Sequence, residues 1–208
     1  MARIYKAPRQ ISLSDLLSDY EMGNTLDGLG NVPPAMQVAV YTIPGGDKGT
    51  KATLERMKEI TINSLKDKKY GAYIRGLAIK ITNDAGCKTK EFRCEAKAIF
   101  EWVRDNVKWI RDTRGFETLQ YPYRTLAFGG GDCDDLTVLL CALALSIGIS
   151  CAFKAIAANP SKRDQFSHVY ALLDPIGNGK WIAADPTVKQ ASFGWESPLQ
   201  FKKMILEL

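Results

Sequence analysis

The pattern of apolar positions along the chain changes from helix-like to strand-like near Gly148. Three upstream stretches carry apolar residues at every third or fourth position, which predicts amphipathic helices. Their stripes are Leu54, Met57, Thr61 and Leu65; then Tyr70, Ile74, Leu77 and Ile81; then Phe92, Ala96, Ile99, Val103 and Val107. Residues 136–147 have no polar face, and a helix that is apolar all round is normally buried. Gly148 predicts the end of this central helix.

Downstream of the central helix the apolar residues alternate with polar ones. This period of two predicts strands over 150–158, 167–174 and 180–185, with a turn at 175–179 joining the last two. Ser197 followed by proline has the chemistry of a helix start, and we expect a final helix over 197–208. Helices followed by a strand meander indicate an α+β fold, with a helical N-terminal half and a buried central helix packed on an antiparallel sheet.

Residues 1–50 differ from the rest in their density of glycine and proline. They contain two short candidates for regular structure, a helical turn at Leu13–Tyr20 and a strand at Met36–Ile43. We interpret 1–50 either as an arm that packs on the following domain or on an assembly partner, or as a plain N-terminal subdomain. If residues 1–50 are an arm, we expect most of their contacts to lie along the surface of the domain of residues 51–208 or with another chain, and not in the core of that domain.

Composition and charge exclude several classes of protein. The 208 residues are 46% hydrophobic and 25% charged, as is ordinary for a soluble globular protein. No run approaches the roughly 18 apolar residues of a membrane span, and Met1–Tyr20 shows no secretory signal. The net charge of +5 is spread along the chain without interleaved aromatic residues, so we expect no nucleic-acid binding.

Five cysteines occur, and their number is odd. They are Cys87, Cys94, Cys133, Cys141 and Cys151. None forms a C-x-x-C pair, which argues against a zinc site and against a disulfide framework. Reduced thiols in a cytoplasmic protein therefore fit best, with Cys87 and Cys94 as small buried apolar residues.

Cys133 has the most distinctive surroundings of the five. Three glycines precede Asp132, which suits the N-cap of the central helix, and Asp135 suits the reciprocal position of a capping box. Cys133 then falls in the first turn, where free N–H groups and the helix dipole favour a thiolate. The pattern predicts a cysteine nucleophile at the tip of a buried helix.

His168 is the single histidine of the chain. If the hairpin loop is the four residues 175–178, His168 lies directly opposite Asp185 on the neighbouring strand, within reach of a hydrogen bond. A loop one residue longer or shorter would separate the two side chains. Together, Cys133 as nucleophile, His168 as base and Asp185 as the orienting carboxylate supply the parts of a thiol hydrolase.

Residues 110–132 form a long predicted loop, and loops of this length are often functional. Gln120 lies in it and is our side-chain candidate for stabilising an oxyanion, beside the backbone N–H of Cys133. A metal site made of Cys133, Asp135 and His168 lacks a second histidine or paired cysteines. We therefore expect neither a metal nor a cofactor.

Three blocks of sequence resemble the transglutaminase-like superfamily, a branch of the papain-like cysteine enzymes. They are Gly-Asp-Cys-Asp-Asp at 131–135, His-Val-Tyr at 168–170 and Trp-Ile-Ala-Ala-Asp-Pro-Thr at 181–187. The resemblance covers about residues 95–190 and implies a catalytic cysteine, histidine and aspartate at Cys133, His168 and Asp185. The compact chain is also similar to transglutaminase-like proteins of bacteriophages and prophages.

The resemblance implies one of three functions. The first is hydrolysis of an amide or peptide bond in a protein or peptide substrate, through a thioester at Cys133. The second is transfer of the same acyl group to an amine. The third is a structural or docking module, for example a virion component, that keeps the fold without activity. We expect a cytoplasmic protein, or a virion protein if the chain is phage-encoded.

Overall fold

The computed structural model describes residues 38–41, 45–112 and 117–208. The described elements are β1 (Val38–Tyr41), α1 (Gly46–Lys66), α2 (Lys68–Asp84), α3 (Phe92–Asn106), β2 (Lys108–Trp109), β3 (Glu117–Gln120), α4 (Pro122–Phe128), β4 (Gly130–Gly131), α5 (Cys133–Ser146), β5 (Ser150–Ala157), β6 (His168–Asp174), β7 (Ile182–Ala184) and β8 (Lys202–Glu207). Helices dominate the first half and strands the second, which confirms the α+β prediction. The predicted helical turn at Leu13–Tyr20 lies outside the described residues.

The three predicted amphipathic helices are present as α1, α2 and α3. Each buries the stripe that the spacing indicated, and Met57, Ile74 and Ile99 are completely buried. The break between α1 and α2 falls at Asp67, whose carboxylate accepts the N–H groups of Lys69 and Tyr70 as an N-cap. The short link therefore starts a new helix instead of continuing the first.

Helix α5 is the central helix, and it is buried along nearly its whole length. Its side chains from Asp134 to Ala144 are all buried, and it packs against the other four helices and against β5 and β6. The predicted capping box is present. The Asp132 carboxylate accepts the backbone N–H of Asp135, and the Asp135 carboxylate accepts the backbone N–H of Asp132. Gly148 has a φ of +89°, which an L-residue rarely adopts, and it follows the helix as predicted.

The main sheet has the strand order β7-β6-β5-β8, and all neighbouring strands are antiparallel. Strand β8 replaces the predicted final helix, so that prediction is wrong. Residues 202–207 pair with β5 along its full exposed edge, and Met204 and Leu206 pack on the core while Ile205 stays exposed. The open edge of β5 offers unpaired backbone hydrogen-bonding groups, and pairing with them favours a strand over the helix that the local helix-start residues predicted.

The register between β6 and β7 differs from the predicted one by two residues. Ala171 lies opposite Ala184 and Leu173 opposite Ile182, so Asp185 does not face His168 directly. The turn is longer because the Asp174 carboxylate accepts N–H groups from three residues of the turn, Ile176, Gly177 and Gly179. A shift of two residues preserves the face of every side chain, and His168 and Asp185 therefore stay on the same side of the sheet.

The segment 110–132 is not the long loop that we predicted. Its described residues form β3, α4 and β4, with Pro122 at the start of α4, where proline fits best. These elements are too short to show a periodic sequence pattern. Strand pairing determines the two short strands, since β3 pairs with β1 and β4 pairs with β2.

Strand β1 confirms the centre of the strand predicted at Met36–Ile43. Helix α1 spans the predicted boundary between residues 50 and 51, and the division into arm and domain stays a prediction.

Cys87 and Cys94 form a disulfide, which corrects the prediction that all cysteines are reduced. The turn after α2 folds back onto the first turn of α3 and brings the two Cα atoms to 5.7 Å. This separation is within the range that a disulfide can bridge. An odd cysteine count could not reveal the pair, because the path of the turn between α2 and α3 decides whether the two residues meet.

The two faces of the main sheet are different. The inner face, against the helices, contributes Phe153, Ala155 and Val169 to the large core. The outer face carries a smaller apolar cluster, which consists of Ala152, Ile156, Tyr170, Leu172 and Ala183. None of the helices in the described part is both long and apolar enough for a membrane span.

The disulfide gives a direct prediction about thiol chemistry. Protein unfolded without reductant should show three reactive thiols, from Cys133, Cys141 and Cys151, and five after reduction. Quantitative thiol titration in denaturant measures both numbers. Five thiols in freshly prepared, unreduced protein would contradict the pairing of Cys87 with Cys94.

Candidate active site

A cavity of about 270 Å³ opens beside the N-terminal end of α5. Helix α1 forms one wall, and the ends of β5 and β6 form the other. The lining residues are Thr50, Thr53, Leu54, Met57, Asp132, Cys133, Asp134, Ala155, Phe166, Ser167, His168 and Val169. Cys133 and His168 therefore share one cavity, as the sequence predicts, and no lysine or arginine lines it among the residues that the structure describes.

Cys133 occupies the first position of α5 and is partly buried. Its Sγ lies 3.5 Å from Oδ1 of the neighbouring Asp134, at hydrogen-bonding distance for a thiol donor. In the described residues no hydrogen bond joins this sulfur to the His168 ring. The thiol proton therefore has a carboxylate as its partner in this arrangement.

The pKa of Cys133 is raised well above the ordinary thiol value. Burial is the largest cause, and the negative charges of Asp134 and Asp132 raise it further, whereas a hydrogen bond from the backbone of Val169 lowers it. Our prediction that the helix start favours a thiolate is therefore wrong for this arrangement. Desolvation and two adjacent carboxylates outweigh the helix dipole.

His168 and Asp185 are in direct contact. Nε2 of the imidazole lies 2.7 Å from Oδ2 of Asp185, and the Asp185 side chain is only 2% exposed. Its other oxygen, Oδ1, accepts hydrogen bonds from the backbone N–H and the hydroxyl of Thr187. Thr187 thus fixes the carboxylate, and the carboxylate fixes one ring nitrogen of His168.

Gln120 is buried, but its amide group contacts Asp135 instead of the cavity. Its backbone N–H donates to Oδ1 of Asp135 at 2.8 Å, and Nε2 donates to Oδ2 at 2.7 Å. Gln120 is not among the residues that line the cavity. The structure thus brings Cys133, His168 and Asp185 together at one end of the sheet, and an oxyanion role for Gln120 stays a prediction.

The acidic groups of the α5 capping box have raised pKa values. Burial is the main cause for both, and it raises the pKa of Asp132 to about 7 and that of Asp135 to about 6. Asp135 is completely buried, and a Cβ on Gly131 would lie 2.6 Å from its Oδ2. The last glycine before the helix is therefore required by the carboxylate that closes the capping box.

Comparison with known families identifies the fold. The model of the Transglutaminase-like superfamily, Transglut_core, matches residues 76–186, which is more than half of the chain. The chain belongs to the transglutaminase-like superfamily. The matched region includes Cys133, His168 and Asp185, and the fold predicted from the resemblance is confirmed. No protein of curated function matches the sequence significantly.

Two solved structures are similar at low identity. A proposed cysteine protease from Cytophaga hutchinsonii is 19% identical with a TM-score of 0.42, over 66% of this chain and 47% of its own. A structure of Rad4–Rad23 bound to a 6-4 photoproduct UV lesion is 14% identical with a TM-score of 0.42, over 72% of this chain and 41% of its own. The chain thus spans less than half of either of these structures.

Asp134 is the site residue of this transglutaminase-like domain that sequence reasoning did not assign. The signal was present, because aspartates flank Cys133 on both sides, but only the structure directs Asp134 onto the sulfur. Asp132, Cys133 and Asp134 also offer three possible ligand atoms within 4.8 Å of one another. This set differs from the metal set of Cys133, Asp135 and His168 that the sequence suggested.

We expect Asp134→Asn to make Cys133 more reactive. Replacing the carboxylate with an amide removes a negative charge beside the sulfur, so the pKa of Cys133 should fall and the thiolate fraction should rise. Iodoacetamide labelling of Cys133 at pH 7, followed by peptide mapping, should be several-fold faster than in the unmodified protein. The exposed Asp84→Asn is the matched control, and equal rates in both variants would contradict the electrostatic role of Asp134.

Asp132→Asn should remove a pH dependence of stability. A carboxyl whose pKa is raised in the folded state favours folding below its unfolded pKa near 4, and this contribution is lost as the pH rises through about 7. Asparagine keeps the N-cap geometry without the charge. The variant should therefore melt about 2–4 °C higher at pH 8, with the difference closing toward pH 5. A constant difference over this range would contradict the raised pKa.

Proposed function

We propose that this protein is a cysteine-dependent hydrolase of amide or peptide bonds, with Cys133 as nucleophile, His168 as general base and Asp185 as the orienting carboxylate. The contact between His168 and Asp185, at the cavity that also contains Cys133, is the observation that carries this proposal. Membership of the transglutaminase-like superfamily supports the same class of chemistry.

Asp185 determines which nitrogen of His168 can act as the base. With Nε2–H donating to the carboxylate, the neutral ring carries its lone pair on Nδ1, the nitrogen that remains to accept the proton of Cys133. The buried carboxylate also stabilises the imidazolium after proton transfer. The His168 ring, 20% exposed, stays accessible from the cavity.

The reaction proceeds through a thioester. The Cys133 thiol gives its proton to Nδ1 of His168, and the sulfur attacks the carbonyl carbon of the amide. The tetrahedral adduct collapses as the C–N bond breaks, and the imidazolium returns its proton to the leaving amine. A water molecule, deprotonated by His168, then attacks the thioester and releases the carboxylic acid and the Cys133 thiol.

The raised pKa of Cys133 has a consequence for this reaction. The resting enzyme holds a thiol on Asp134 instead of a thiolate–imidazolium pair, so proton transfer to His168 accompanies substrate binding. The backbone N–H of Cys133 lies in the first turn of α5, where the helix ladder leaves it without a partner, and it is the first candidate donor for the oxyanion. Gln120 could add a second donor only if its amide leaves Asp135.

Acyl transfer to an amine is the second candidate function. Asp132 and Asp134 line the cavity, and within the described part of the chain no lysine or arginine lines it. Such a lining attracts a cationic amine. Incubation with an acyl-donor peptide and a fluorescent primary amine distinguishes the two reactions. Hydrolysis yields free acid alone, whereas transfer incorporates the amine into the peptide.

The three proposed catalytic residues should act as a unit. Cys133→Ala should abolish amide hydrolysis, and His168→Ala should come close to that loss, because the same proton transfer fails in both. Asp185→Asn should lose roughly 10²–10⁴-fold in kcat while the protein keeps its fold, since the imidazole tautomer and orientation are disturbed. Turnover is measured with a peptide-amide library screened by mass spectrometry, which also detects an acyl group attached to Cys133.

Cys151→Ala, which changes a buried cysteine outside the cavity, is the matched control and should keep full turnover. Unmodified protein that neither hydrolyses nor transfers any amide, together with full biological function of Cys133→Ala, would contradict the proposal. That outcome would support the docking module that the sequence left open.

A further inference from the structure

The segment between β7 and β8 crosses the outer face of the sheet. These strands are at opposite edges, in the order β7-β6-β5-β8, so the connection must pass over β6 and β5. Gly194 in this segment donates its N–H to Ala183 of β7 at 2.8 Å. Two residues later, Glu196 contacts both inner strands.

Glu196 is held at a single oxygen by two side chains. Its Oε1 accepts the Tyr170 hydroxyl at 2.8 Å and lies 2.6 Å from Nζ of Lys154. Lys154 and Tyr170 are directly opposite each other on β5 and β6, and the ammonium lies 5.5 Å from the centre of the Tyr170 ring. The three residues form one charge-balanced unit, which we call the Glu196 brace.

The brace is built from groups that are costly to bury alone. Lys154 is 6% exposed, and Tyr170 is fully buried. The Glu196 side chain is 39% exposed, so solvent screens the ion pair, but breaking it leaves the buried Lys154 ammonium unpaired. The pair therefore contributes little net stability, and it keeps the carboxylate beside the Tyr170 hydroxyl.

The Tyr170 ring contacts the His168 imidazole. The two residues share a face of β6, and their ring centres are 5.9 Å apart with a tilt of 34°. Ile156 lies opposite His168 on β5. The groups that can titrate or carry charge around the imidazole are Asp185, which it contacts, the cavity residues Asp132, Cys133 and Asp134, and Tyr170 with the Lys154–Glu196 pair behind it.

We propose that Glu196 is a positioning residue for His168: it holds the Tyr170 ring against the imidazole, and Lys154 holds the Glu196 carboxylate in place. The proposal rests on the role of His168 as base in the proposed function. Its test is independent of activity, because the resonances of the His168 ring report directly on the neighbouring Tyr170 ring.

The brace predicts changes in the environment of the His168 ring. Glu196→Gln removes the charge that holds Lys154 and the Tyr170 hydroxyl together, and Lys154→Met removes the group that holds Glu196. In both variants the Tyr170 ring should lose its fixed orientation, so the Hε1 resonance of His168 should move toward its position in unfolded protein.

A single histidine makes this measurable by NMR without assignment. Spectra of full-length protein lacking a histidine tag are recorded at one alkaline pH, and the Hε1 and Cε1 resonances report on the His168 ring. Lys97→Met and Glu101→Gln, from the surface pair Lys97–Glu101 on α3, are the matched controls and should leave both resonances in place. Lys154→Gln replaces Lys154→Met if the methionine variant does not fold.

Unchanged resonances in the two single variants, or changes no larger than those of the controls, would overturn the proposal, because removing either half of a brace that positions the ring must alter the surroundings of His168. Tyr170→Phe tests the positioning. It keeps the ring and removes the bond to Glu196, so the Hε1 resonance of neutral His168 should move toward its position in unfolded protein. An unchanged resonance would also overturn the proposal.

Discussion

The buried carboxylate of Asp135 connects three parts of the molecule. It accepts the backbone N–H of Asp132 at 3.3 Å to close the capping box of α5, and it accepts two hydrogen bonds from Gln120 on β3. Its position leaves no room for a side chain on Gly131. Because these bonds fix where α5 begins, they also fix where Cys133 meets the cavity. The geometry of the site therefore depends on a residue that does not line it.

The site places a thiol of raised pKa beside an oriented imidazole. Around Cys133, burial and the carboxylates of Asp132 and Asp134 raise the pKa of the thiol. His168 is held at one ring nitrogen by the Asp185 carboxylate. In the proposed hydrolase, the nucleophile therefore becomes reactive only as substrate changes the surroundings of the sulfur.

The sheet separates packing from positioning. Its inner face joins α5 in the main core, where completely buried apolar residues such as Phe153 and Ala171 pack. Its outer face carries His168 and Asp185 at one end and the Glu196 brace behind them. Polar groups on that face are tolerated because each has a specific partner, as buried ionisable groups require. The crossing segment that supplies Glu196 covers this face.

The sequence by itself determined the local features of this protein. Three amphipathic stripes, an apolar central helix with its capping box and Gly148, and three of the four strands of the main sheet followed from periodicity and cap chemistry, which act between residues close in sequence. The resemblance of the cysteine, histidine and aspartate blocks indicated the superfamily. The structure also places His168 and Asp185 on the same face of the sheet, as predicted, because an error of two residues in register leaves side-chain faces unchanged.

Only the structure decided the features that depend on distant partners or on the path of a turn. Residues 202–207 form β8 because β5 offers an open edge. The turn after α2 brings Cys87 to Cys94, and the hydrogen bonds of Asp174 set the longer turn between β6 and β7. The pKa of Cys133 rises because folding buries the sulfur among carboxylates. Burial, edge pairing and the charges brought together by folding have no local signature, and they override the helix dipole that the sequence suggested.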